Sequence, residues 1–149
     1  MPCIHCVMLS QKTKYALQAL GYLSAHYDKG PVLISTISTI KKIPIKFLEN
    51  ILLELKNAGI LESYRGRCGG YRLKDEPIKT NLAAIIRIVD GPIAMLSCVS
   101  LNFYKACENC DQICCRINPV MAEARDALLK VLYSRTLADI KDEQREPVS

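Results

Sequence analysis

The sequence predicts a mainly α-helical protein with one small β-hairpin and a long helix near its C-terminus. Three observations predict this class. Five segments carry apolar residues at helical spacing, and one short segment alternates apolar and polar residues on either side of a glycine-rich tip. The chain has 149 residues, half of them hydrophobic, which suffices for one domain with a real core and an appendage.

The first two helices are marked by their ends. Ser10 is a suitable N-cap for a helix over residues 11–27, whose apolar and aromatic residues share one broad face. Lys29-Gly30-Pro31 is a stop and a turn. The segment 32–40 follows, with isoleucines every third residue, as expected of one face of a short helix.

A third helix and the hairpin come next. Pro44 is tolerated in the first turn of a helix that runs to about Asn57, and Gly59 supplies the left-handed stop. The apolar face of this helix is predicted to comprise Phe47, Leu48, Ile51, Leu52 and Leu55. Residues 60–64 and 71–73 are predicted to pair as strands around the basic tip R-G-R-C-G-G.

The second half of the chain predicts two more helices with a loop between them. Residues 80–90 are amphipathic and are ended by Gly91-Pro92, and a long helix follows Pro119. One side of the long helix is charged. Its other side forms a seam close to heptad spacing that suits self-association, made of Val120, Ala124, Ala127, Leu128, Val131 and Leu132.

Three helices followed by a β-hairpin is the order of a winged helix-turn-helix domain. In that domain the third helix lies in the DNA major groove and the hairpin, or wing, reaches the backbone or the minor groove. Lysine and arginine suit phosphates or guanine, glutamate can accept from cytosine, and asparagine can pair with adenine. The candidate DNA-binding residues are therefore Lys41, Lys42, Lys46, Glu49, Asn50, Arg65 and Arg67.

The charge distribution favours the same interpretation. Residues 1–80 hold 12 Lys/Arg and 6 Asp/Glu, whereas residues 81–149 hold 8 and 9, so that charges of +6 and −1 make up the net +5. A basic front half is typical of a part that meets a polyanion. A solvated charged surface is the alternative on charge alone.

Five of the eight cysteines fall within eighteen residues, at the spacing C-x8-C-x2-C-x3-C-C. Thiolates this close together bind a soft metal or cluster, or exchange electrons and disulfides. The candidate cofactor ligands are Cys98, Cys107, Cys110, Cys114 and Cys115. Softness alone leaves an iron–sulfur cluster, a tetrahedral zinc site and a thiol switch open.

Several stretches of the chain resemble the IscR/NsrR/CymR family of bacterial winged-helix regulators. They are K-T-K-Y-A-L-Q-A-L at 12–20, K-F-L-E-N-I-L at 46–52, the wing and its approach at 55–73, and S-R-T-L-A-D-I at 134–140. The resemblance covers about residues 8–140, and the wing stretch R-G-R-C-G-G-Y is the most specific part.

The resemblance implies a homodimer joined by its long C-terminal helices, which binds double-stranded promoter DNA. It also implies a cysteine loop that holds an iron–sulfur cluster in many members, whereas others respond through thiols or partner proteins. The expected ligands are Cys98, Cys107 and either Cys114 or Cys115, with Cys110 as the alternative. A 2Fe–2S cluster is expected, with 4Fe–4S, zinc or no cofactor as alternatives.

The expected organisation follows from these segments. It comprises an N-terminal extension (1–7), a winged helix-turn-helix domain (8–80), a connecting helix and turn (81–97), a sensor loop (98–117), a dimerisation helix (118–141) and a tail (142–149).

Two further classes are disfavoured by the sequence. The chain offers no nucleotide-binding loop and no Ser/His/Asp set, and its only histidines are His5 and His26, so an enzyme such as a disulfide reductase is not expected. A zinc-binding module that does not bind DNA conflicts with the basic wing. No apolar run is long enough for a membrane span and no signal peptide is evident, so a cytoplasmic protein without membrane contact is expected.

Overall fold

The computed structural model describes residues 9–108, 111 and 113–143. The predicted N-terminal extension and all but the first two residues of the predicted tail lie outside these ranges. The description below concerns the described residues alone.

Three helices form the first layer of the fold. They are α1 (Gln11–Ala25), α2 (Ile34–Lys41) and α3 (Ile45–Asn57). Ser10 caps α1 as predicted, because its hydroxyl oxygen accepts a hydrogen bond from the Thr13 amide at 3.1 Å. The main core lies where α1, α2 and α3 meet, and its fully buried members include Leu20, Leu23, Ile37, Leu48 and Leu52.

The turn between α2 and α3 is built around Lys42 and Ile43. Lys42 has a φ of 54°, which ends α2 with a left-handed residue. Ile43 is buried, and its carbonyl oxygen accepts a hydrogen bond from the Ser38 hydroxyl at 2.7 Å. The buried isoleucine and this hydrogen bond fix the angle at which α3 leaves the turn.

The wing is a two-stranded antiparallel hairpin. Strand β1 (Leu61–Tyr64) pairs with β2 (Gly70–Leu73), with Leu61 opposite Leu73 and Tyr64 opposite Gly70. Val32 and Tyr71 exchange backbone hydrogen bonds of 2.8 and 2.9 Å, which tie the hairpin to the segment before α2. Gly70 has a φ of 137°, and a Cβ there would lie 2.2 Å from the Val32 carbonyl oxygen. The close contact between the hairpin and the segment before α2 therefore requires glycine at this position.

The second layer packs α4 (Leu82–Val89) against α5 (Ile117–Ser134). Asn81 caps α4 by accepting from the Ala84 amide at 2.9 Å. A separate small core joins the two helices, with Ala83, Ile86, Ile93 and Leu129 buried and Leu132 packed against them. Because α1 also contacts α4, this layer is continuous with the main core.

The predicted long helix is shorter than expected, because α5 ends at Ser134 and does not reach residue 141. The chain turns there to insert Leu137, which is fully buried in the main core. Thr80 accepts a hydrogen bond from the Leu137 amide at 3.0 Å, and Asp139 accepts from the Thr136 amide at 2.7 Å. The amides of Thr136 and Leu137 donate these hydrogen bonds, so they are not available for the hydrogen bonds of a longer α5.

After this turn the chain crosses α1. Asp142 donates its amide hydrogen to the Gly21 carbonyl oxygen at 3.1 Å, and the Ile140 carbonyl lies directly over Gly21. We call residues 136–142 the return segment.

A second long-range contact joins the start of α1 to the end of α4. The Asp90 carboxylate accepts hydrogen bonds from the Ser10 amide, at 3.1 Å, and from the Ser10 hydroxyl. Partial burial alone would raise the pKa of Asp90, but hydrogen bonds from Ser10 and Thr13 outweigh it and hold the pKa below its ordinary value of 3.8.

Within the described ranges, no helix has both the length and the apolar character needed to cross a membrane.

Gly21→Ala is expected to destabilise the protein, although alanine normally favours a helix interior by about 1 kcal/mol. A Cβ at this position would lie 2.6 Å from the Ile140 carbonyl oxygen, so the return segment must move. The expected loss in the free energy of unfolding is about 1–3 kcal/mol, measured by chemical denaturation. Lys14→Ala, at an exposed position of α1, is the control and is expected to stay within about 0.5 kcal/mol of the wild type. A Gly21→Ala variant as stable as the wild type would contradict the close approach.

Asp90→Asn is expected to lose stability at neutral pH and to converge with the wild type in acid. A carboxylate whose pKa is lowered on folding stabilises the fold above its ordinary pKa, and that stability is lost as the pH falls through the folded value. Unfolding free energies of both proteins between about pH 7 and about pH 2 measure the difference. Asp75→Asn, at an exposed carboxylate outside this contact, is expected to parallel the wild type. A gap that stays constant into acid would contradict this role of Asp90.

Candidate nucleic-acid interface and cysteine loop

Helix α3 divides its residues between the core and the surface. Its inward side is apolar and fully buried at Leu48, Ile51, Leu52 and Leu55, as predicted. Its outward side exposes Lys46, Glu49 and Asn50 in the first half of the helix. An amphipathic helix held this way presents a fixed polar face to solvent.

Phe47 does not belong to the buried face, contrary to the expectation from helical spacing. The residue is 57% exposed, and its ring meets Tyr15 edge to face with 6.5 Å between ring centroids. The spacing was misleading because Phe47 lies at the edge of the apolar arc, where the neighbouring helix decides how much is covered.

The two charged residues of the first turns of α3 interact with each other. The Lys46 ammonium lies 3.3 Å from the Glu49 carboxylate, one turn apart on the exposed side. The Lys46 side chain is 87% exposed, so this ion pair is screened by solvent and opens at little cost. Both groups are therefore available to another charged molecule.

The lysines before α3 differ in their surroundings. Lys42 is exposed at the turn. Lys41 forms an ion pair with Asp142 of the return segment, and its ammonium lies 5.9 Å from the centroid of the Tyr22 ring. The Lys41 side chain is only 20% exposed.

The wing tip exposes two arginines. Arg65 and Arg67 flank Gly66, which has a φ of 98° and so adopts a backbone that favours glycine. A Cβ on Gly69 would lie 2.4 Å from the Tyr64 carbonyl oxygen, so the tip is also tightly packed. The result is a narrow, basic projection beside α3.

A cross-strand network stiffens the wing below its tip. Glu62 accepts hydrogen bonds from the Tyr64 hydroxyl at 2.9 Å and from Arg72 at 3.3 Å, and the Arg72 guanidinium lies over the Tyr64 ring. The hydrogen bond from Tyr64, followed by the effects of Arg72, holds the pKa of Glu62 below its ordinary value. Alternation in the sequence predicted the strands but not this network, which depends on the cross-strand register.

Cys98 is connected to α5 through its side chain and through its turn. It lies in a 3-10 turn (Ser97–Val99) and is half-buried. The Asn118 side-chain amide donates a hydrogen bond to its sulfur at 3.7 Å, and Arg125 donates to the Val99 carbonyl oxygen. Both partners belong to α5, so the first candidate ligand is positioned by that helix. No sequence signal pointed to Asn118 or Arg125.

The other candidate ligands are distributed along the loop between this turn and α5. Cys107 and Cys114 are exposed and Cys115 is half-buried, whereas Cys110 lies outside the described residues. Among the residues that the structure describes, no three Cys, His, Asp or Glu side chains are gathered closely enough to hold a metal ion. The donor set is chemically suited to a soft metal or cluster, and the loop would have to close around it.

Comparison with known proteins agrees with the fold and the wing. The model of the Rrf2 family, described as an iron-dependent transcriptional regulator, matches residues 9–143. An Rrf2-like HTH-type transcriptional regulator of Rhodobacter capsulatus is 43% identical over 137 residues, covering 89% of this chain and 91% of the relative. The HTH-type regulator NsrR of Geobacillus kaustophilus is 30% identical over 138 residues, covering 93% of this chain and 92% of the relative.

Solved structures show the same architecture. The structure of CymR, the global cysteine regulator of B. subtilis, superimposes with a TM-score of 0.74 at 29% identity and covers 89% of this chain and 95% of its own. IscR of T. potens superimposes with a TM-score of 0.70 at 27% identity, covering 89% and 85%. The fold agrees with these matches, and the chain belongs to the Rrf2 family of winged-helix, DNA-binding transcriptional regulators, which are not enzymes.

Proposed function

We propose that this chain is a cytoplasmic, homodimeric regulator that binds promoter DNA and senses iron–sulfur, redox or nitric-oxide status through its cysteine loop. The observation that supports it best is the pairing of two surfaces. The exposed polar side of α3 lies in the same domain as a narrow wing that projects Arg65 and Arg67. A winged-helix domain uses both surfaces to bind DNA, because its third helix enters the major groove and its wing follows the DNA backbone.

The proposed DNA contacts are of two kinds: contacts with phosphates, which position the protein on the duplex, and contacts with base edges, which recognise the sequence. Lys42, Lys46 and the two wing arginines neutralise phosphates, while Glu49 accepts from cytosine and Asn50 pairs with adenine. In this proposal Lys41 contacts DNA only when its ion pair with Asp142 opens.

The proposed dimer surface is the uncovered side of α5. Ile117, Val120, Leu128 and Val131 are 46–61% exposed and recur along this side, whereas Leu129 is buried on the opposite side. An apolar row of this kind is typical of a surface that another protein covers. A second copy of the chain would place two DNA-binding domains about one helical turn, roughly 34 Å, apart on the duplex.

The proposed sensor is an iron–sulfur cluster held by Cys98, Cys107 and either Cys114 or Cys115, with Cys110 as the alternative ligand. A 2Fe–2S cluster is the first choice and a 4Fe–4S cluster the second. The proposal is supported by a donor set rich in thiols in one loop and by relatives named NsrR and IscR. When bound, the cluster supplies a crosslink between thiolates that depends on iron supply and oxidation.

The proposed coupling to DNA runs through α5. Cys98 is connected to this helix by Asn118 and its turn is connected by Arg125, and α5 packs on α4, which contacts α1 and α3. A change at the loop therefore alters how α5 is held relative to the DNA-binding domain. In a dimer, small rotations of the two domains change their fit to fixed half-sites.

A second candidate sensor is a thiol switch without a cluster. It is favoured by the exposure of Cys107 and Cys114, because accessible thiols react with oxidants. A zinc site formed by the same thiols is the third candidate.

Cys98→Ser is expected to abolish cluster binding, since it removes the thiol that α5 positions. The measurement is visible absorption of anaerobically purified protein together with iron, sulfide and zinc content. Cys68→Ser changes an exposed cysteine of the wing and is expected to retain wild-type iron and sulfide. Stoichiometric zinc in the wild-type protein would favour the zinc site over the cluster. No metal after cluster reconstitution would favour the thiol switch.

Arg65→Ala and Arg67→Ala are each expected to weaken binding to many DNA sequences by a similar factor. Each change removes about one phosphate contact, so the slope of log affinity against log salt concentration should fall by about one. Titrations of duplex DNA at several salt concentrations measure both effects. Lys130→Ala, an exposed charge on α5, is the control and is expected to keep the wild-type slope. Unchanged slopes in both arginine variants would remove the wing from the DNA interface.

A further inference from the structure

Phe47 is a large aromatic residue that the fold leaves uncovered in the first turn of α3. The residue is 57% exposed, although the next residue, Leu48, is fully buried. Lys46 and Glu49 beside it are charged and exposed. Exposure of a phenylalanine side chain to water is unfavourable, so a partner surface that buries it stabilises the complex.

The Phe47 ring packs against α1. Tyr15 of α1 meets it edge to face, with an interplanar angle of 74° and 6.5 Å between the ring centroids. This geometry is a favourable aromatic pair and limits the positions that the ring can take. Phe47 remains more than half exposed, and the exposed Asn50 follows it about one turn further along α3.

The chemistry of the major groove offers one good partner for such a ring. Residues in the first turns of a recognition helix contact base edges, and most of those edges carry hydrogen-bond donors or acceptors. A phenylalanine over them would remove water without replacing its hydrogen bonds. The exception is the 5-methyl group of thymine, which is apolar and projects into the groove.

We infer that Phe47 is a specificity-determining residue that reads a thymine methyl group next to the base pair contacted by Asn50. The inference rests on the proposed contact of α3 with the major groove. Because Tyr15 supports the ring from α1, the reading position is set by packing between helices and not by the side chain of Phe47 alone. A protein partner covering the same ring is the competing explanation, and it predicts no response to thymine.

The test compares duplexes that differ only in this methyl group. Duplexes bound by the purified full-length wild type are selected from a random library, and the same sequences are prepared with thymine or with uracil. Wild-type affinity is expected to fall with uracil by about fourfold for each contacted methyl, the equivalent of one buried carbon group. Uracil introduced one position at a time then locates the methyl that matters.

Phe47→Ala is expected to bind the thymine duplex more weakly and to lose the difference between thymine and uracil at that position. Phe47→Leu keeps an apolar side chain and is expected to retain part of the difference. Arg67→Ala is the matched control, because it should weaken both duplexes equally and leave their ratio at the wild-type value. Unfolding curves check that the Phe47 variants remain folded. The ratio of thymine to uracil affinity is measured within each protein, so a loss of active protein does not change it.

The outcomes separate the inference from the function on which it rests. Equal binding of thymine and uracil duplexes by the wild type overturns the inference while leaving DNA binding intact. A full uracil effect in Phe47→Ala overturns it as well, because another residue would then contact the methyl. A wild type that enriches no duplex from the library overturns the inference together with the proposed function.

Discussion

Burial of one side of α3 is the constraint on which the rest of the structure depends. Leu48, Ile51, Leu52 and Leu55 are inaccessible to solvent, so rotation of the helix about its axis would expose several large side chains at about 2 kcal/mol each. The same packing that stabilises the domain therefore determines which residues face outward. Specific contact with DNA needs this rigidity, because a reading side chain is useful only if its position is fixed before binding.

The wing and the turn that opens the cysteine loop are both attached to the helices by defined contacts. Backbone hydrogen bonds between Val32 and Tyr71 hold the wing to the chain that enters α2, so the wing and α3 share one frame. At the other end, α5 contributes Asn118 and Arg125, which contact the turn containing Cys98. The proposed coupling depends on this contact, because α5 packs on α4 and α4 contacts α1 and α3.

The return segment connects the C-terminal part of the chain to the helix-turn-helix, and the charge pattern of the sequence does not reveal this contact. Its Asp142 neutralises Lys41, and Leu137 is buried in the core shared by α1 and α3. Lys41 is thus a basic residue of the helix-turn-helix whose charge is shared with the C-terminal part of the chain. In the proposed complex a phosphate would have to replace Asp142 as the partner of Lys41, and salt would weaken this partly exposed ion pair.

Local signals in the sequence determined the elements: the Ser10 cap, the left-handed Gly59, the hairpin and the apolar side of α3 all depend on neighbouring residues. The clustered thiols and basic wing likewise indicated the chemistry of the candidate sites. Only tertiary structure decided that Phe47 stays exposed, that α5 ends at Ser134, that Asp142 pairs with Lys41 and that Asn118 contacts Cys98. Each of these depends on residues distant in the chain meeting in space, and periodicity or capping in one segment carries no information about such a partner.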